Sequence, residues 1–305
     1  FEYEPSNDYS FKGHHVTAMA FDPLGNLWVG TLKNGLNLFN HERNLFSHYH
    51  WGSQALRSPD ADPVRAVCKT NNQDIWLGFD RKGVGVIKAS GAHRFFDYYY
   101  TTEGTRRPIN NVRTIFQDSE GNIWIGEEGQ LCIYNPDKDR IESVGRHFSW
   151  DWPYRCYVVK EPDPGNLLIS APDQVGFVNL QNGRLAVRPF EEEMDVSGSV
   201  RDVVRDPHGN WWIAKDEHGI LKMTQSGDIT HIQEQSHGLS DNKIYTMEID
   251  GDSLWIGTNS GLNLFRISAD TVRQHYFEAD GLSNNIVYSI YKDRDAHLWM
   301  STNRG

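Results

Sequence analysis

One phrase returns seven times along the chain: a β-rich run that closes on Gly-Asn-Leu-Trp-Val-Gly-Thr or a near variant. Its anchor positions are Trp28, Trp76, Trp124, Leu168, Trp212, Trp255 and Trp299, at spacings of 48, 48, 44, 44, 43 and 44 residues. That period, without helical periodicity, belongs to a four-stranded propeller blade rather than to a helical repeat. In the first unit, residues 16–22, 27–31, 36–39 and 45–49 are apolar, strand-length runs separated by turn residues. The sequence predicts an all-β chain, a seven-bladed β-propeller of four-stranded antiparallel blades, forming a single domain over residues 1–305.

The Asp-x-x-Gly-Asn corner, at residues 22–26, 118–122 and 206–210, reads as hairpin chemistry and not as a metal loop. Gly and Asn tolerate positive φ there, and Asp bonds its own backbone. The anchor indoles are expected to fill the wedge between neighbouring twisted sheets. Gly30, Gly78, Gly126 and Gly257, two positions past an anchor, read as points of close backbone approach.

A net charge of −11 with no Lys/Arg cluster argues against a nucleic-acid groove. The chain has no apolar run of membrane-spanning length and no signal-peptide h-region at its start. Cys68, Cys132 and Cys156 fall on different units without paired spacing, so they read as buried thiols. Phe1-Glu-Tyr-Glu4 resembles the outer strands of other units, and Gly305 falls where a third strand of the seventh unit is expected. The expectation is one ring's worth of a longer array, its N-terminal segment supplying the seventh blade's outer strand.

Residues 25–39, 121–126 and above all 254–265, Leu-Trp-Ile-Gly-Thr-Asn-Ser-Gly-Leu-Asn-Leu-Phe, resemble the two-component regulator propeller repeat. The linker at 238–245, Gly-Leu-Ser-Asp-Asn-Lys-Ile-Tyr, and its copy at 281–288 are similar to that family's linkers. The resemblance implies an extracytoplasmic, periplasmic sensor region of a bacterial hybrid two-component protein. Within it a neighbouring propeller, an immunoglobulin-like domain, a membrane helix and a histidine kinase are expected to follow, with a dimer formed through the parent. It implies oligosaccharide detection without turnover, no cofactor and no metal. Two units depart from the pattern: Leu168 stands in place of Trp, and the third unit has a short link at residues 127–130.

In a four-stranded blade, the loop joining strands two and three and the link to the next blade emerge at one end, and the Gly-Asn corners at the other. Loops at the link end carry function more readily than strands do. The residues singled out as ligand-binding are Trp51, Arg81, Lys82, Tyr100, Trp150, Trp152, Tyr154, Arg155, Asp173 and His218. Aromatic rings beside Arg and Asp suit sugar faces and hydroxyls. The alternative for Trp150 and Trp152 is packing into the space left at Leu168. Arg81, Lys82 and Arg155 also suit a carboxylate or sulfate.

Two further classes stay open. One is a protein-interaction platform. The other is an enzyme, either glycan-cleaving or streptogramin-lyase-like. Carboxylates such as Glu127, Glu128 and Glu191–Glu193 are plentiful, but no nucleophile elbow or zinc His-Glu pair is present. The Val/Ile-Gly-Thr that follows the anchor also differs from the lyase pattern.

Overall fold

Each repeat folds into an antiparallel meander because its apolar runs are strand-length and its corners reverse the chain tightly. The structure is a computed structural model that describes residues 6–13, 15–22, 25–49, 63–128, 130–144, 158–171, 174–181, 184–189, 199–293 and 296–304. It divides into two compact units, Phe1–Met194 and Asp195–Gly305. The fold is an all-β propeller with four-stranded antiparallel blades.

In the first unit, the first sheet is Val16–Phe21, Leu27–Thr31, Leu36–Asn40 and Leu45–Tyr49, paired in that order. The second is Val64–Lys69, Ile75–Phe79, Val84–Ile87 and His93–Phe96. The fourth is Val158–Asp163, Asn166–Ala171, Gln174–Gln181 and Arg184–Pro189. In the second unit, the fifth sheet is Val200–Arg205, Trp211–Lys215, Gly219–Met223 and Ile229–Ile232. The sixth is Ile244–Asp250, Ser253–Thr258, Gly261–Arg266 and Thr271–Tyr276.

The expectation of seven four-stranded blades is corrected to five among the described residues. The third sheet has six strands, because the meander from Thr114 to Ser143 is extended by a hairpin of Tyr98–Tyr100 and Arg106–Pro108. Ile109 N donates to Asp97 O at 2.9 Å and closes the hairpin's base. Tyr99 and Tyr100 then pair in parallel with Ile141 and Glu142. Surplus link residues thus satisfy their backbone on the outer edge of the next sheet instead of looping out. Arg106, Arg107 and Pro108 are exposed on the new edge strand, where charge and a missing N–H blunt further pairing. The seventh sheet has two strands, Val287–Lys292 and Leu298–Thr302. The expected closing segment, residues 1–4, lies outside the described residues, as does Cys156.

The anchors do fill wedges. Trp28, Trp76, Trp124 and Trp212 are buried, whereas Trp255 and Trp299 are half-buried. Trp76 stacks on Phe96 of its own sheet and meets Tyr134 of the third edge-on at 5.0 Å. Trp212 meets Phe265 of the sixth sheet at 5.3 Å. Leu168, buried at the fourth anchor position, takes the same station without a ring.

The glycines two past the anchors give way to a valine at the entry to the next sheet. A Cβ on Gly78 would lie 2.4 Å from Val112 Cγ1, and one on Gly257 would lie 2.8 Å from the Val287 carbonyl oxygen. Cys132 is buried and Cys68 nearly so; burial pushes the Cys68 thiol up to about 11. Among the described residues, no helix is long and apolar enough to cross a membrane.

Candidate functional site

The two ends of a blade use their polar side chains differently. At the corner end, Asp118 accepts from Asn122 N at 2.8 Å, Asn122 Nδ2 at 2.9 Å and the buried Trp124 indole N–H at 2.8 Å. Asp206 repeats this with Asn210 N, Asn210 Nδ2 and Trp212 Nε1, each at 2.9 Å, and also accepts from His208 N. In the seventh sheet, Asp293 accepts from His297 N and Trp299 Nε1, both at 2.8 Å. In these three sheets the corner carboxylate therefore caps the indole six residues later as well as its own turn. Burial alone would raise the Asp206 carboxyl, but these bonds outweigh it and hold the group below its usual range. The corner's fourth residue is left-handed: Gly121 and Gly209 at φ 91° and 82°, but Gln73 and Ala296 at 70° and 65°.

At the link end, the second residue of the first strand in four sheets reaches toward the loop between strands two and three of its own sheet. In the first unit, Arg65 pairs with Asp80. In the second, Arg201 Nη2 lies 2.5 Å from Asp216 Oδ2. Tyr245 OH donates to Asn259 Oδ1 at 3.4 Å, and Tyr288 OH to Asn303 Oδ1 at 3.0 Å. These are rungs at one register position whose chemistry changes from sheet to sheet.

The second unit groups its rungs most closely. The Tyr245 and Tyr288 rings are 5.0 Å apart, edge to face, and both are half-buried. Lys243 Nζ lies 3.2 Å from Glu217 Oε1 and 3.7 Å from Asp216 Oδ1. The Glu217 bond, helped by Asp216 and opposed by burial, holds the ammonium above its usual range. Burial pushes the Tyr245 phenol up against the opposing pull of Lys243. Asp241 accepts from Ser260 Oγ at 3.0 Å and Asn259 Nδ2 at 3.3 Å. The resulting surface presents amides, phenols and paired charges, a donor–acceptor array suited to a polar ligand.

Of the residues singled out from sequence, Arg81 and Lys82 sit in the loop beside the Arg65–Asp80 rung, with Arg81 87% exposed and its Nε 3.8 Å from Asp80. His218 is exposed beside the Arg201–Asp216 rung, and its Nδ1 donates to the Asp216 carbonyl at 2.6 Å. Tyr100 stands apart from the rungs, on the extra hairpin at the outer edge. There Arg140 lies 4.3 Å over its ring and Arg106 Nε donates to its hydroxyl at 3.0 Å. Trp51, Trp150, Trp152, Tyr154, Arg155 and Asp173 lie outside the described residues. Sequence reasoning passed over Arg65, Arg201, Lys243, Tyr245 and Tyr288. The signal was available for Arg65, Arg201, Tyr245 and Tyr288, each of which directly follows the apolar residue that opens its strand.

Four segments, residues 10–33, 107–129, 238–260 and 281–304, match the family described as Two component regulator propeller. Histidine kinase P4 of Formosa agariphila is 26% identical over 249 residues, 79% of this chain and 18% of that protein, so the chain spans only a small part of its relative. Among solved structures, the extracellular domain of a putative hybrid two component system from B. thetaiotaomicron superposes with a TM-score of 0.74 at 18% identity. The match covers 96% of this chain and 39% of that one. Virginiamycin B lyase from Staphylococcus aureus superposes with a TM-score of 0.71 at 14% identity, covering 98% and 95%. At these identities the likeness is one of fold.

Proposed function

Because the chain carries two component regulator propeller repeats, we propose that it is a ligand-sensing propeller from the extracytoplasmic, periplasmic part of a bacterial two-component signalling protein. It binds an oligosaccharide at the link end without turning it over, and the bound state biases a membrane-linked histidine kinase. The observation that carries this reading is the rung position: one register site holds Arg with Asp in some sheets and Tyr with Asn in others. Structural repeats keep what folding needs, and this position is not kept. Phenol and amide pairs at Tyr245–Asn259 and Tyr288–Asn303 offer ring faces and hydroxyl partners together.

The ligand contacts assigned on the first unit are Trp51, Arg81, Lys82, Trp150, Trp152, Tyr154, Arg155 and Asp173, with Tyr100 on the rim. On the second unit His218 joins the rungs. The kinase, the neighbouring propeller, the immunoglobulin-like domain and a dimer belong to the parent protein, and they turn differential binding into a shift between signalling states.

The test is a thermal-shift screen of the parent's complete extracytoplasmic region against neutral, uronic and sulfated oligosaccharides, with product analysis of each hit. A saturable shift with intact ligand supports the sensor. Cleavage makes the propeller an enzyme, and silence across the panel points to a protein partner at the link end.

A further inference from the structure

The same cross-strand pair, an asparagine facing a histidine, occurs in the first and sixth sheets: Asn37 opposite His48, and Asn263 opposite His275. Both asparagines are completely buried, and each holds the backbone that leads into its sheet. Asn263 Oδ1 accepts from Ser240 N at 2.9 Å, and its amide donates to Ser240 Oγ at 2.8 Å. His275 Nε2 donates to the Gly238 carbonyl at 2.7 Å, and the ring stacks on Phe277. A neutral imidazole with one N–H satisfies that contact.

The first sheet asks for more. Asn37 Oδ1 accepts from Lys12 N at 3.2 Å, and Asn37 Nδ2 donates to Lys12 O at 3.1 Å. These opposed bonds fix the amide's orientation, because a flip would set oxygen against oxygen and N–H against N–H. His48 Nδ1 lies 2.7 Å from that fixed oxygen, and Nε2 lies 3.1 Å from the Asp8 carbonyl oxygen. Both neighbours are acceptors. A neutral ring has one N–H and must aim a lone pair at one of them, whereas an imidazolium donates to both.

We propose that His48 is a proton-operated latch that fastens the lead-in segment Asp8–Lys12 to the first sheet. The charged side chains of that segment are the Asp8 carboxylate and the Lys12 ammonium, which pair with each other at 3.6 Å. The strands Leu36–Asn40 and Leu45–Tyr49 bring no other charge to it. The segment is also held by Phe46 N donating to Tyr9 O at 3.0 Å and by buried Phe11 against Phe46 at 5.4 Å. Deprotonation therefore loosens the Asp8 end and leaves the Phe11 anchor seated.

The sign follows from linkage. A histidine whose charged form gains two bonds on folding has its folded pKa raised. The latch is complete below the unfolded value of about 6.5 and is lost as pH rises through the higher folded value. The latch rests on its own contacts and does not depend on what binds at the rungs.

The test is an imidazole nitrogen NMR titration of the 305-residue chain, with His275 as internal control. The expected result is a His48 pKa at least about one unit, or tenfold in proton affinity, above the unfolded value of about 6.5. The Lys12 amide shift should follow the His48 midpoint. His48→Gln should abolish that step and His275→Gln should preserve it. A His48 pKa at or below the unfolded value of about 6.5, or a Lys12 amide indifferent to pH, overturns the proposal. Both of these are read on the unsubstituted protein, so a variant that fails to fold does not blunt the test.

Discussion

At the corner end of three sheets the same side chains do the same work; at the link end, one register position holds Arg with Asp in two sheets and Tyr with Asn in two others. Asp118, Asp206 and Asp293 all turn their carboxylates inward onto the indole six residues later. The rungs run from Arg65–Asp80 and Arg201–Asp216 to Tyr245–Asn259 and Tyr288–Asn303. Repetition marks what holds the blade together. Variation at a fixed geometry marks surface that folding does not claim, and there recognition has room to act.

The largest expected effect belongs to the corner system. Trp212→Ala removes a completely buried ring that meets Phe265 and leaves the Asp206 carboxylate short of a donor. Chemical denaturation should show a loss of about 3–5 kcal/mol, with refolded protein still binding ligand in proportion to its folded fraction. Next comes Gly257→Ala, whose methyl meets the Val287 carbonyl and Thr246; a loss of about 1–3 kcal/mol is expected.

A third comparison sets two carboxylates directly against each other. Asp206→Asn should cost about 1–2 kcal/mol by weakening four bonds, while Asp216→Asn at the link end should cost less than about 1 kcal/mol, as a part-exposed pair does. Because Asp206 is held below its unfolded range, its contribution is present above the unfolded pKa and lost as pH falls through the folded one. The acid limb of a melting curve should therefore flatten in Asp206→Asn. The smallest effect has the opposite sign. Ala296 holds a left-handed conformation that glycine holds in the third and fifth sheets, so Ala296→Gly should stabilise by about 0.5–1 kcal/mol.

The repeat period made the blade legible in sequence, because anchor, corner and glycine recur together and each serves local folding. The hairpin at Tyr98–Pro108 was visible only as extra length. Whether surplus link residues loop out or pair with a neighbouring edge is a tertiary choice, and Tyr100 moved to the rim with it. The indole cap was written in the sequence as Asp six before Trp, yet a corner aspartate reads first as a turn former. The rungs were harder. Arg201 and Asp216 lie in different strands and loops, and only the register that sets Val200 against Lys215 brings them together. Loop residues such as His218 were singled out because loops advertise themselves by composition, whereas their strand partners did not.

The central claim is that recognition resides at the link end. The most direct test is titration calorimetry of the parent's extracytoplasmic region with the oligosaccharide identified by thermal shift, comparing wild type with a Tyr245→Ala, Tyr288→Ala double variant and with Asp206→Asn. The expected result is an affinity loss of tenfold or more, about 1.4 kcal/mol, in the tyrosine variant at nearly unchanged melting temperature, and full affinity in the folded corner variant. Wild-type affinity in the tyrosine variant would contradict the account.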